Sequence, residues 1–273
     1  MTIRIQTLRA GVATLGVVAG GVGAHAASIT VTVENTMASD GFFLTPFWLA
    51  VHNGGFDSYD GGSLAGGFPG LEELAEEGMT APIAAAFAAS GAGAAGGFET
   101  TLTADDAPPP VFSPGETATM TYDIGDGSIN RYFSYASMVI PSNDFFIANG
   151  NPLGHEVFDA AGNFLGPLTI EIRGSMVNDA GTEVNNAAGG AAFSALGGTS
   201  VSESLPIANI FSNAGTPGYL SSFVGTQTAS GATIGSTFGA DDVIARITII
   251  PTPAVASLLV LAGVAGRSRR RRS

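Results

Sequence analysis

Three stretches of this chain alternate apolar and polar residues with a period of two, and that pattern admits few folds. Ser28-Ile29-Thr30-Val31-Thr32-Val33-Glu34 puts Ile29, Val31 and Val33 on one face; Leu168 to Met176 and Asp242 to Ile250 repeat the alternation. Successive side chains of a strand point to opposite faces, so each stretch reads as a strand with one face in a core and the other in water. Thr117 to Ile124 and Tyr132 to Ile140 are further strand-like runs, and Gly125-Asp126-Gly127-Ser128 between them predicts a hairpin turn. Phe42 to Val51 is apolar but interrupted by Pro46, which predicts an edge strand or a strand entering at a bend. A helical patch follows, Leu71 to Glu77 and then Ala81-Pro82-Ile83 to Ser90, with Pro82 admissible in a first turn. The expected fold is mainly β: an antiparallel β-sandwich with one or two short helices in a long connection. Leu168, Ile170 and Ile172 should face its core, as should Val243, Ala245, Ile247 and Ile249.

The 273 residues are ample for a sizeable core, and no repeat of 20–50 residues suggests a solenoid or propeller. Gly91 to Gly97 and Ala187 to Gly198 are too small in side chain to build a core and read as surface loops of one domain over residues 28–250. Cysteine is absent, which removes disulfides, thiolate catalysis and every cysteine-based metal site.

Both ends read as targeting segments. Arg4 and Arg9 precede an apolar stretch, Ala10 to Val22, and Ala24-His25-Ala26 fits a small-x-small cleavage site, so residues 1–27 read as a secretory signal. At the other end Ile250-Pro251-Thr252-Pro253 leads into the apolar run Ala254 to Gly266, then Arg267, Arg269, Arg270, Arg271 and Arg272. Those 13 apolar residues are short for a span of about 20, yet the arginines behind them are what the positive-inside rule places on the cytoplasmic side. Residues 251–273 resemble the PEP-CTERM class of bacterial sorting tails, with Thr252 where that class usually has Glu. The resemblance implies transient membrane anchoring through this segment, processing by a membrane sorting protease, and a secreted protein of a bacterial cell surface or extracellular matrix.

All ten basic residues are arginines, and only Arg131, Arg173 and Arg246 lie between the two ends. Set against 23 acidic residues, they leave the body with a formal charge near −20. Such a surface repels nucleic acid and anionic membranes and attracts cations, which excludes DNA and RNA as partners.

Two acidic loops carry the most chemistry. Met138-Val139-Ile140-Pro141-Ser142-Asn143-Asp144-Phe145-Phe146 closes one strand, and Asp179-Ala180-Gly181-Thr182-Glu183 follows another. If the strands before them, Tyr132 to Ile140 and Leu168 to Arg173, are neighbours, Asp144, Asp179 and Glu183 meet at one end of the sandwich. Three carboxylates without a cation repel one another, and calcium, which takes six to eight oxygens at flexible geometry, resolves the conflict. Gly181 allows the sharp turn that aims Asp179 and Glu183 inward.

In both loops the chain resembles the spondin N-terminal domain family. The resemblance extends over residues 28–250, through Val31 to Asn35, Leu44 to Gly54, Leu71 to Gly78 and the Phe112-Ser113-Pro114-Gly115-Glu116 turn. It implies a calcium site at Asp144, Asp179 and Glu183, with Glu183 standing for the Asp of animal members. The chain departs from those members in lacking cysteine and in having Phe145 where Trp is usual. The function expected from the resemblance is a non-enzymatic, calcium-binding adhesion or matrix module whose partner is an extracellular polysaccharide or a surface protein.

Other sites read as weaker. Asp123 to Ser128 lacks the spacing and closing Glu of a calcium loop and reads as a solvated turn; Asp105-Asp106 and Asp241-Asp242 read as strand-edge charges. Glu72, Glu73, Glu76 and Glu77 read as the wet face of a helix. After signal removal the histidines are His52 and His155, without a His-Glu-x-x-His motif, and Gly61 to Ala65 lacks the closing glycine of a nucleophile elbow. The alternatives to a binding module are a metal-dependent envelope hydrolase and a structural coat protein without a specific ligand.

Overall fold

The structure, a computed structural model, describes residues 26–104, 110–212 and 215–252. Most of the signal segment (1–27), most of the tail (251–273) and the pair Asp105-Asp106 lie outside the described residues. The chain opens with strands β1 (Ala26–Asn35), β2 (Phe43–Leu44) and β3 (Phe47–His52), followed by helices α1 (Leu71–Glu77), α2 (Thr80–Ala89) and α3 (Gly91–Ala94). Strands β4 (Phe98–Leu102), β5 (Thr117–Asp126), β6 (Tyr132–Ile140), β7 (Phe145–Ala148), β8 (Leu168–Arg173), β9 (Val177–Asp179) and β10 (Ala208–Asn209) come next. Helix α4 (Thr216–Ser221) and strand β11 (Val243–Pro251) end the series.

The strands form two antiparallel sheets, packed as a sandwich. The first has the order β5-β1-β11-β8, and the second the order β10-β9-β7-β6-β3-β4 with β2 beside β6. In the first sheet the alternation works as its sequence predicts except at the start of β11, where a bulge between Val243 and Ala245 buries Ile244 and leaves Val243 half-buried; Leu168 is partly buried against the core. Ile29, Val31 and Val33, Ile170 and Ile172, and Ala245, Ile247 and Ile249 are buried, while Thr169, Glu171 and Arg173 are exposed. Inward side chains meet Phe133, Tyr135 and Phe145 of the second sheet in one core.

The second sheet is covered on both faces. Trp48, Ala136 and Phe146 point away from the sandwich interior into a smaller core roofed by Leu71, Leu74, Ile83 and Phe87 of α1 and α2. Double coverage explains why β3, β6 and β7 read as continuous apolar runs rather than alternating ones. Of the two expectations for Phe42 to Val51, the edge strand is corrected, since β3 is interior, paired to β4 on one side and β6 on the other, and the bend holds. Pro46 is tolerated because it falls in the break between β2 and β3. There the Thr45 hydroxyl, rather than main chain, accepts the Met138 N–H at 2.9 Å.

The hairpin predicted at 125–128 is a second correction. The chain does turn there, but β5 lies in the first sheet and β6 in the second, so the turn is a corner between layers. Asn130 holds it, its amide donating to Ile124 O at 2.6 Å and to Gly96 O at 2.9 Å. His52, fully buried at the end of β3, accepts the Gly54 N–H on Nδ1 and bonds Ser134 Oγ through Nε2. Burial lowers its pKa to about 4, so the ring is a neutral packing element, as a strand-end histidine usually is.

At the end of the sandwich where β1 and β6 stop, aromatic rings form a chain. Phe145 packs on Tyr219 at 5.3 Å between ring centres, Tyr219 on Phe223 at 5.2 Å, Phe223 on Phe42 at 5.9 Å and Phe42 on Phe238 at 5.6 Å, all edge to face. Asn35 and Phe43 fix that end: the Asn35 amide donates to Phe42 O, and Phe43 pairs with Ile140, the last residue of β6.

Candidate metal centre

The two acidic loops do come together, but by a different route from the one the sequence suggests. Strands β6 and β8 lie in opposite sheets. After β8 the chain crosses between layers through a single 3₁₀ turn, Gly174–Met176, and enters β9 of the second sheet. Gly174 is needed at the crossing, since any Cβ there would collide with Gly239 O. Strand β9 then pairs with β7, placing Phe145 opposite Asp179, and Ala180 N–H donates to Asp144 O at 3.1 Å. Asp144 and Asp179 thereby become neighbours.

Asp144 is fully buried. Its Oδ2 accepts three hydrogen bonds, from Thr182 N at 2.8 Å, Glu183 N at 3.1 Å and Thr182 Oγ1 at 3.2 Å. Its Oδ1 is equally inaccessible and has no donor. Asp179 accepts the Gly181 N–H at 2.8 Å on Oδ1 and the Asn185 amide at 2.6 Å on Oδ2. The Asn185 Oδ1 is again buried and without a donor. A buried oxygen left unpaired costs about 1–3 kcal/mol, so Asp144 Oδ1, beside a second carboxylate, marks a place that calls for a positive partner.

The electrostatics agree. Burial first, and then the charge on Asp179, push the Asp144 carboxyl up to about 8, against the three hydrogen bonds that favour its ionised form. Asp179 is also raised by burial, partly offset by Asn185 and Gly181. The two carboxyls lie close enough to share a hydrogen bond, which requires a proton between them. A cation can take the place of that proton.

Glu183 stands alongside rather than inside. Its main-chain N–H reaches Asp144, while its carboxylate lies 3.4 Å from the Asn143 amide. Among the described residues no three Asp, Glu or His side chains group closely enough to hold a metal ion by themselves. The oxygens that fit a cation here are those of Asp144, whose Oδ1 is free, and Asp179, which Asn185 holds through its NH₂ group; main-chain carbonyls and water would complete a shell of six or more. Calcium accepts that mixture; zinc, which favours nitrogen and sulfur in a tetrahedron, does not.

Sequence reasoning missed Asn185 and the role of Asn143. Asn143 ties the loop to α4: its Oδ1 accepts the Tyr219 hydroxyl at 2.6 Å and the Asn186 N–H at 3.1 Å. The available signal was Asn185 two residues past Glu183, a neutral amide able to donate to a carboxylate of its own loop. Gly181 has φ +67°, and a Cβ on it would strike Leu205 O, so no other residue fits the turn. Asp126 is satisfied within its own turn, accepting the Ser128 N–H at 2.8 Å, and Glu72, Glu73 and Glu77 lie on the exposed face of α1. Glu76 departs from the expected wet face: it is half-buried against the second acidic loop, where burial and the charge of Glu183 raise its pKa against a hydrogen bond with Thr182.

Comparison with known proteins finds no matching family model and no matching curated protein.

Proposed function

We propose that this chain is a secreted, surface-sorted, non-enzymatic module of a bacterial cell surface or matrix, related to the spondin N-terminal domain, whose loops at one end of the sandwich are held by calcium. The observation that carries this reading is the buried, donorless Asp144 Oδ1 beside Asp179. Asp144 orients the Thr182–Glu183 main chain with one oxygen and keeps the other for the ion. Asp179, oriented by the Asn185 amide, supplies a further oxygen from the second loop. Bound calcium would neutralise the carboxylate pair and fix the loops that present the binding face. The partner would be an extracellular polysaccharide or another surface protein.

The test is thermal melting with calcium and with a chelator. Extracellular calcium modules have dissociation constants of about 10⁻⁴ to 10⁻³ M. An ion at about ten times its dissociation constant adds roughly 1.4 kcal/mol of stability. For a domain of this size each kcal/mol moves the melting temperature by about 2–4 °C. The wild-type chain should therefore melt a few degrees higher in calcium, with magnesium substituting poorly because it demands a smaller, strictly octahedral shell. Asp179→Asn should lose most of that response. Identical melting of wild type and variant with and without calcium would end the reading.

A further inference from the structure

Beside the metal loops, at the same end of the sandwich, lies a cavity that nothing above accounts for. It has a volume of about 320 Å³ and opens between the turn after β1 and the segment leading into β11. Its walls combine Met37, Phe238 and Ile244 with Thr36, Ser236 and Asp242. Phe238 belongs to the row of rings that runs from Phe145 through Tyr219, Phe223 and Phe42, and Tyr219 is bonded to Asn143, so one row of rings links the cavity wall to the metal loops. Asp242 is exposed just before β11, as the sequence suggests, and it also lies on this concave wall.

The chemistry of that wall selects its ligand. The Thr36 hydroxyl donates to Val243 O at 2.7 Å, and the Ser236 hydroxyl donates to Asp40 Oδ1 at 2.7 Å, so both oxygens are left only to accept. Asp242 is a carboxylate held through Oδ2 by the Gly239 N–H at 2.7 Å, and it too accepts. Among the described residues no basic side chain lines the cavity, so a phosphate, sulfate or uronate would meet the negative charge of Asp242. The ligand must bring several donors and also an apolar surface to lie against Met37, Phe238 and Ile244. A neutral sugar ring has both, with hydroxyl groups around its edge and a C–H face, and the volume is of the size that ligand pockets have.

We propose that this cavity is a binding site for one neutral sugar ring, the recognised unit of an extracellular polysaccharide. The proposal rests on the reading above for the class of partner but not on the cation. Asp242 takes hydrogen bonds from ring hydroxyls, Thr36 and Ser236 accept from others, and the C–H face lies on the apolar wall. The turn at Asp40 sets this geometry, because Gly235 N–H and Ser236 N–H both donate to Asp40 O and hold the two sides of the cavity together.

The experiment is saturation-transfer NMR on the full chain with glucose, galactose, mannose, N-acetylglucosamine and, as the anionic control, glucuronic acid. At least one neutral sugar should bind with its transfer concentrated on one C–H face, and glucuronic acid should bind about tenfold more weakly or not at all. Asp242→Asn should weaken the neutral sugar about tenfold, and Ala38→Trp, which puts a large ring into the cavity wall, should abolish binding. If either variant fails to fold, the other decides. Failure of all four neutral sugars to bind, or binding unchanged in a folded variant, would overturn the proposal. Running the series in calcium and in chelator separates the two ideas. A normal calcium melting response without sugar binding sinks only this site, whereas sugar binding without a calcium response sinks only the metal reading.

Discussion

Phe42→Ala should melt about 6–20 °C below the wild-type chain. Phe42 is fully buried in the largest core and packs edge to face on both Phe223 and Phe238. Deleting a buried Phe side chain costs about 3–5 kcal/mol through lost transfer energy and the cavity left behind, and each kcal/mol is about 2–4 °C for a domain of this size. The site cannot collapse easily. The main-chain carbonyl of Phe42 is tied to the Asn35 amide at 3.1 Å, so the backbone is held in place while the ring is missing. Phe223→Leu, which keeps most of the volume, should cost less than half as much. Differential scanning calorimetry checks both, and a loss of under a few degrees for Phe42→Ala would mean that the aromatic chain is not the structural brace described.

Asp144→Asn should raise the melting temperature of the calcium-free protein at pH 8. The Asn side-chain oxygen can take over the hydrogen bonds from Thr182 and Glu183, and its NH₂ can donate to Asp179 where the wild type sets two carboxylates together. The sign follows from the direction of the shift. Asp144 has a folded-state pKa raised from 3.8 to about 8, so the folded protein holds a proton that the unfolded chain releases. Stability is then lost as pH rises from near 4 toward 8. One pKa unit is about 1.4 kcal/mol, and with the penalty shared across the pair the relief on removing one charge is on the order of 3 kcal/mol, or about 6–12 °C. The advantage of the variant should shrink as pH is lowered toward 4. In calcium the gap should narrow by a few degrees, because only the wild type keeps the anionic oxygen that binds the ion. A variant that is destabilised equally at pH 5 and pH 8 in chelator would contradict the account of the pair.

What the sequence reveals here depends on whether a feature is local. Strands β1, β8 and β11 are legible because each has one face in the core and one in water, so the period of two is written directly into Ile29-Val31-Val33 and its counterparts. The helices are legible for the same reason: Leu71 and Leu74 are buried beneath the exposed Glu72 and Glu73. Strand β3 is not, since burial on both faces erases the alternation, and Pro46 then looks like an edge signal when it marks a break between two strands. The corner at 125–130 has turn residues that say the chain reverses but not into which sheet; that is settled by the Asn130 amide bonding across layers. At the metal centre, Asp144 and Asp179 stand out as charges in loops, whereas their meeting depends on β7 pairing with β9, two short strands of which only one was visible as part of a motif. Asn185 carries no charge and no pattern of its own. Its place in the site comes from one hydrogen bond to Asp179.

The most direct test of the calcium reading is a crystal structure of the chain grown in calcium, with anomalous data collected at long wavelength, where calcium scatters anomalously. The account predicts one strong peak within about 2.3–2.6 Å of Asp144 Oδ1, with an oxygen of Asp179 in the same shell. Clear density for both carboxylates with no peak between them, in crystals saturated with calcium, would contradict it.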